Sequence, residues 1–290
     1  MKILVLGATG QVGFEVCRSI ACLGKVYAPG RKELDLSDLP AVEAYLQKTS
    51  PNIVINAAAY TQVDKAESEP DLARKLNADL PEILANHSAT QGSLLVHYSS
   101  DYVYDGNHQS FRKESMEGSP VNRYGETKLQ GDLAILHSGC EHLIFRTSWV
   151  YSARGKNFMR TMLDLGKQRT ELNVVDDQIG SPTPARLIAN VTALAAHSGL
   201  ESGIYHLAPR GHTSWHGFAR EIFNVASRES EPLMLTADDI NPIPTHQYPT
   251  PAKRPLNSRL DTSKLEQALN IQLPEWKTEL ASTLNEFLEK

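Results

Sequence analysis

Tyr124 and Lys128 stand four residues apart in Asn122-Arg123-Tyr124-Gly125-Glu126-Thr127-Lys128, downstream of a serine pair, Ser99-Ser100, that ends an apolar run. On a helix, positions i and i+4 share a face. The spacing therefore sets an ammonium near a phenol, where its charge favours the ionised form and lowers a pKa that starts near about 10. A phenol so tuned is an acid for a carbonyl oxygen, and a serine hydroxyl can hold that oxygen from its other side. Tyrosine four residues before lysine also arises by chance in helices, so its meaning depends on what the rest of the chain builds around it.

The other end of the chain supplies a partner for that chemistry. Residues 3–6 form a short apolar run that opens into Gly7-Ala8-Thr9-Gly10-Gln11-Val12-Gly13 and then an amphipathic segment. Glycines there permit a tight turn and let the backbone approach a pyrophosphate, while a helix N-terminus offers free N–H groups and the positive end of its dipole. The G-x-x-G-x-x-G spacing is one residue longer between its first two glycines than the common dinucleotide fingerprint. A glycine-rich turn that binds nothing is the competing reading, and the order strand, turn, helix argues against it.

Past the second apolar run comes Pro29-Gly30-Arg31-Lys32-Glu33-Leu34-Asp35-Leu36. Arginine at this point accommodates a ribose 2′-phosphate, whereas an acidic residue binds a 2′-hydroxyl. Arg31 and Lys32 thus tilt the choice of cofactor toward NADPH over NADH without making it exclusive, with Asp35 near the adenine. For Lys32 a solvated charged loop is an equal alternative. Small residues in Asn56-Ala57-Ala58-Ala59-Tyr60-Thr61, at the carboxyl end of a central strand, leave room for a cofactor in the crevice of a doubly wound sheet. Tight strand-to-helix packing is an equal reading of this segment by itself, and its place among the other motifs favours the cofactor.

Short β-branched runs alternate with longer amphipathic segments through the first half, the pattern of βαβ units. Strands are predicted at residues 3–6, 26–28, 53–57, 94–99 and 142–146, and helices or parts of helices at 18–23, 39–48, 70–90 and 124–136. Beyond residue 149 helices are expected at 157–167, 184–197, 215–228, 261–268 and 274–288. Residues 232–255 hold too many prolines for a central strand or a long helix and are expected to wrap a ligand site. The expected architecture is α/β: a Rossmann-type doubly wound parallel sheet over residues 1–150, and a smaller C-terminal substrate-binding lobe over 151–290 with some segments returning to the first domain.

A net charge of −5 across 290 residues argues against general nucleic-acid binding, which needs a basic patch. Three scattered cysteines suit neither a disulfide framework nor a cysteine-rich zinc site. With neither a leader-like apolar segment at the N-terminus nor a membrane-spanning stretch, a cytoplasmic protein is expected. His212 and His216 flank Trp215 at a helical metal-binding spacing, but with no third ligand in view they are expected to be surface or packing residues.

In order along the chain, Gly7 to Gly13, Asn56 to Glu67, Val96-His97-Tyr98-Ser99-Ser100-Asp101-Tyr102-Val103-Tyr104-Asp105-Gly106, Phe145-Arg146-Thr147-Ser148-Trp149-Val150-Tyr151 and Arg254-Pro255-Leu256-Asn257-Ser258-Arg259-Leu260 resemble the extended short-chain dehydrogenase/reductase superfamily acting on nucleotide sugars. The resemblance implies catalytic Ser100, Tyr124 and Lys128, with serine where most members have threonine and Ser99 as an alternative hydroxyl. It implies cofactor contacts at Gly10, Gln11, Val12, Asp35, Leu36, Ala59, Tyr60, Thr61, Tyr98, Tyr124 and Lys128, to which Gly7, Thr9, Arg31 and Ala57 are added from the glycine turn, the charged loop and the alanine run. For the sugar nucleotide it points to Ser100, Asp101, Tyr124 and Trp149. The implied reaction is hydride transfer from NADPH or NADH to the C4 carbonyl of dTDP-4-dehydro-L-rhamnose. Alternatives are another nucleotide-sugar reductase or epimerase, or a non-catalytic NADP-binding regulatory subunit. Some members dimerise through magnesium held by glutamates. Glu15 matches one such position, but Arg186 stands where a second glutamate would be, and a cation there repels a metal. No required metal and a monomer or weak homodimer are expected.

Overall fold

The computed structural model describes residues 1–107, 109–229 and 231–289. Six parallel strands form the main sheet: β1 (Lys2–Leu6), β2 (Lys25–Tyr27), β3 (Ile53–Asn56), β4 (Leu94–Ser100), β5 (His142–Thr147) and β6 (Gly203–His206). Their spatial order is β6-β5-β4-β3-β1-β2. The direction of winding reverses between β1 and β3, and ligands of open parallel sheets bind outside the carboxyl ends of strands at that point.

The apolar runs bury both faces of the sheet. Ile3, Val5, Ile53, Ile55, Val96 and Phe145 pack beneath α1 (Gln11–Ser19) and the helix Ala185–Ser198. Leu4, Leu6, Val54, Leu95 and Ile144 face the opposite layer, which includes Val42, Leu46, Leu84 and Ile135. A separate core gathers Tyr151, Met159, Leu163, Phe218, Phe223, Trp276 and Leu284 from the second half. Among the described residues no helix is long and apolar enough to cross a membrane.

Three elements differ from expectation. α1 ends at Ser19, so that most of the predicted segment 18–23 falls in a separate 3-10 turn, Ala21–Leu23, because extended Gly10 lets the helix start early, within the glycine turn at Gln11. The predicted helix 70–90 is interrupted by a π-helical turn, Lys75–Asp79. Pro81 has no N–H for the Asn77 carbonyl, so the regular ladder cannot run through this point. Finally, β6 pairs with β5 although its four residues give too short a signal to be read in sequence. Residues 232–255 contain the short strand Ile240–Ile243 beside Leu172–Val175, and its proline is tolerated because a two-stranded ribbon is all edge.

Candidate active site

The turn after β1 is shaped by contact as much as by flexibility. Gly7 has φ +78°, and a Cβ there would lie 2.6 Å from the Ala57 carbonyl carbon, so only glycine lets the turns after β1 and β3 meet. The Gly10 N–H donates to the Gly7 carbonyl at 2.9 Å. Thr9 and Gly10 are exposed above the start of α1, while Gln11 and Val12 are half-buried. The Gln11 side chain is already engaged, accepting from Ser152 Oγ at 3.1 Å and Asn157 Nδ2 at 2.9 Å. It therefore offers a ligand its backbone at the helix N-terminus, and it couples that turn to the second half of the chain.

Ala57 and Ala59 line the rim after β3 and Tyr60 is buried. Buried Asn77 anchors that segment: its Oδ1 accepts from the Tyr60 N–H at 2.8 Å, and its Nδ2 reaches the Tyr60 carbonyl and Thr127 Oγ1, both at 3.1 Å. Thr61 stays exposed. Sequence reasoning missed Asn77, which lies within the π-helical turn. Beyond β2, Arg31 and Asp35 are exposed and Leu36 half-buried. Hydrogen bonds from the Ser37 N–H and hydroxyl hold the Asp35 carboxyl below its usual range, with Arg31 adding a favourable charge. A positive-φ glycine turn, a helix start, an alanine rim and an exposed arginine together fit a dinucleotide.

The helix Arg123–Ser138 carries the phenol and amine. Asn122 is its N-cap, accepting from the Gly125 N–H at 2.8 Å. A Cβ on Gly125 would lie 2.1 Å from the Tyr102 carbonyl oxygen, so glycine at this place allows the helix to close on the turn that follows β4. Tyr102 and Tyr124 meet edge to face at 5.4 Å. The Ser100 hydroxyl acts on the Tyr124 phenol, while it donates to Asp101 Oδ1 at 3.0 Å and accepts from the Tyr102 N–H at 3.2 Å. Ser99 points elsewhere, donating to Asp132 Oδ2 at 2.9 Å, which separates the two candidate hydroxyls.

Lys128 is 1% exposed, and its Nζ donates to the Tyr98 carbonyl at 2.7 Å and lies 3.1 Å from His97 Nε2. Tyr98 thus presents its backbone to this site, while its phenol lies in the core, 2.8 Å from Thr192 Oγ1. One expectation is corrected. Burial pushes the Tyr124 phenol up to about 12, with the Ser100 hydroxyl pulling it down and the Asp101 and Asp132 carboxylates pushing it further up. Loss of water, not the charge of Lys128, sets this phenol, and Lys128 is itself brought down to about 8 by burial despite the opposing charge of Asp132.

Asp101 is buried, and its carboxyl is pushed up to about 6 by desolvation against hydrogen bonds from Ser258 and Ser100. Trp149 has φ 49°, uncommon for a bulky residue. Its ring stacks on Trp215 at 3.7 Å, so one of its faces is covered by an aromatic partner that sequence reasoning missed. Residues 252–254 return to this region: Ala252 N–H and Arg254 both bind Asp64, and Asn122 Nδ2 donates to the Lys253 carbonyl at 2.7 Å. Away from the site, His216 hydrogen-bonds the Ile240 carbonyl and His212 packs edge-on against Phe111, both as packing residues. Arg186 lies between Glu15, at 3.7 Å, and Glu286, at 2.5 Å.

A family model described as the RmlD substrate binding domain matches residues 1–289. A dTDP-4-dehydrorhamnose reductase of Burkholderia thailandensis is 45% identical, with 100% of each chain covered. Among solved structures, a dTDP-4-dehydrorhamnose reductase from Clostridium acetobutylicum has a TM-score of 0.93 and 36% identity, covering 100% of both chains. One from Bacillus anthracis, solved in complex with NADP, has a TM-score of 0.90 and 34% identity, covering 98% of this chain and 99% of that one.

Proposed function

The chain belongs to the dTDP-4-dehydrorhamnose reductase family, and on that premise we propose that it reduces the C4 carbonyl of dTDP-4-dehydro-L-rhamnose to give dTDP-L-rhamnose, using NADPH or NADH. The observation that supports this reading most is Tyr124 one helical turn from buried Lys128 on the same helix, with the Ser100 hydroxyl acting on the phenol.

When bound, the nicotinamide supplies the hydride. The glycine turn from Gly7 to Gln11 would hold the pyrophosphate with backbone N–H groups, Arg31 and Asp35 the adenosine end, and Lys128 the nicotinamide ribose. Ala57, Ala59, Tyr60 and Thr61 would border the same crevice. Tyr124 gives its proton to the oxygen that becomes the 4-hydroxyl. A half-buried phenol pushed up to about 12 by desolvation keeps that proton at neutral pH and releases it to an alkoxide, a stronger base than phenolate. Ser100 donates a hydrogen bond to the same oxygen as charge develops there. Asp101 and Trp149 would contact the sugar nucleotide, with Trp149 braced by Trp215.

We place the enzyme in the cytoplasm, as a monomer or weak homodimer without affinity for nucleic acid. It needs no metal between Glu15 and Glu286, since the Arg186 guanidinium already supplies a positive charge there. The test is turnover of dTDP-4-dehydro-L-rhamnose with NADPH, followed by cofactor oxidation. Native protein should turn over, and Tyr124→Phe should lose on the order of 10²-fold or more in kcat. No turnover by native protein would favour a regulatory role or another sugar, and equal turnover by the variant would remove Tyr124 from the mechanism.

A further inference from the structure

A buried polar chain lies behind Lys128, and its hydrogen-bond directions constrain the amine. The Ala58 N–H donates to Asn56 Oδ1 at 3.2 Å, which orients the Asn56 amide. Its Nδ2 therefore faces His97 Nδ1, 3.1 Å away, and donates to it. His97 is fully buried and held neutral by desolvation and by Lys128. A neutral imidazole that accepts at Nδ1 carries its hydrogen on Nε2. That hydrogen meets Lys128 Nζ at 3.1 Å. An ammonium has donors only, so this contact is satisfied by the amine, whose lone pair accepts.

Asp132, one turn along the helix and 0% exposed, pulls the other way. Its Oδ2 accepts from Ser99 Oγ at 2.9 Å and Arg146 Nε at 3.0 Å. Among the described residues its Oδ1 has no hydrogen-bond partner, and it lies 4.0 Å from His97 Nε2. A buried carboxylate oxygen without a donor is costly, and a protonated Lys128 would offset part of that charge. The groups acting on Lys128 are thus Asp132 from its own helix, His97 and the Tyr98 carbonyl from β4, and Arg146 from β5 through Asp132.

We propose that His97 and Asp132 are positioning residues that hold Lys128 poised between amine and ammonium, His97 by presenting a donor to it and Asp132 by opposing charge, so that Lys128 is a titrating group and not a permanent cation. This rests on the reading that Lys128 belongs to the reaction centre. The downward displacement of Lys128 to about 8 agrees with it.

The test is NMR titration of the cofactor-free enzyme carrying ¹³C,¹⁵N-lysine, with the Lys128 resonance assigned by its loss in Lys128→Met. Native Lys128 should titrate well below the other lysines. His97→Gln, whose carbonyl can accept from an ammonium, should raise the midpoint by about one pH unit or more, a tenfold change in the protonation ratio. Asn56→Leu, which frees His97 to carry its hydrogen on Nδ1, should raise it too, and Asp132→Asn should lower it. The alkaline limb of kcat/KM should move in the same opposed directions. Variants that lose thermal stability while the Lys128 midpoint stays put would make these residues structural only and overturn the proposal, as would an ordinary lysine midpoint in the native protein. The titration contains no substrate, so absent turnover would count against the proposed reaction and leave this result to stand by itself.

Discussion

Asn122 joins two parts of the site that are distant in sequence: its Oδ1 caps the helix that carries Tyr124, and its Nδ2 donates to the Lys253 carbonyl at 2.7 Å. The cap fixes where the helix starts, and the second bond brings the end of the proline-rich segment beside the phenol. Asn122→Ala should cost about 1 kcal/mol for the cap alone and should raise KM for the sugar nucleotide. Asn122→Ser should recover the stability, because serine caps, but not the KM, because it cannot reach Lys253. Calorimetry and steady-state kinetics separate the two effects, and recovery of both by serine would show that the tether is idle.

Arg31 is exposed beyond β2, where the ribose end of the cofactor is proposed to lie. Arg31→Ala should weaken NADPH more than NADH, by roughly tenfold for the loss of one charge-assisted contact of about 1.4 kcal/mol. Binding titrations with each cofactor check this. Equal weakening of both would show that Arg31 does not read the 2′-phosphate.

Asp101 makes stability depend on pH. Its folded carboxyl titrates near about 6 against an ordinary value of 3.8, so the folded state binds the proton more tightly than the unfolded chain. The protonated group contributes stability that is fully present below the unfolded value and is lost as pH rises through about 6. A shift of about two units corresponds to at most about 3 kcal/mol. Asp101→Asn mimics the protonated form, so its stability relative to native protein should grow between pH 4 and pH 7. Denaturant melts across that range give the answer, and a constant difference would show that Asp101 is not desolvated as described.

Much of this was legible in sequence because its signals are local. Unbroken apolar runs such as Ile53-Val54-Ile55 can be buried on both faces only in a covered sheet, and Trp215–Arg228 was bounded correctly by its periodicity. Tyr124 and Lys128 shared a helix as their spacing required. What was not legible depends on packing between distant segments. His97 looks like an interruption in an apolar strand until Lys128 arrives opposite it, and Asn77, within a π-helical turn, gains its role only by packing against Tyr60. The pKa of Tyr124 failed for the same reason. Spacing reports which charge is nearby, whereas the exclusion of water that lifts the phenol is a property of the assembled site.

The most direct test of the proposed chemistry is to follow the label from NADPH carrying deuterium at the transferable position of its nicotinamide, with dTDP-4-dehydro-L-rhamnose as substrate. We expect one deuterium on C4 of the product sugar by NMR, and the same product, formed far more slowly, from Tyr124→Phe. Deuterium at another carbon, or a product sugar without deuterium, would refute reduction at C4 as the reaction of this site.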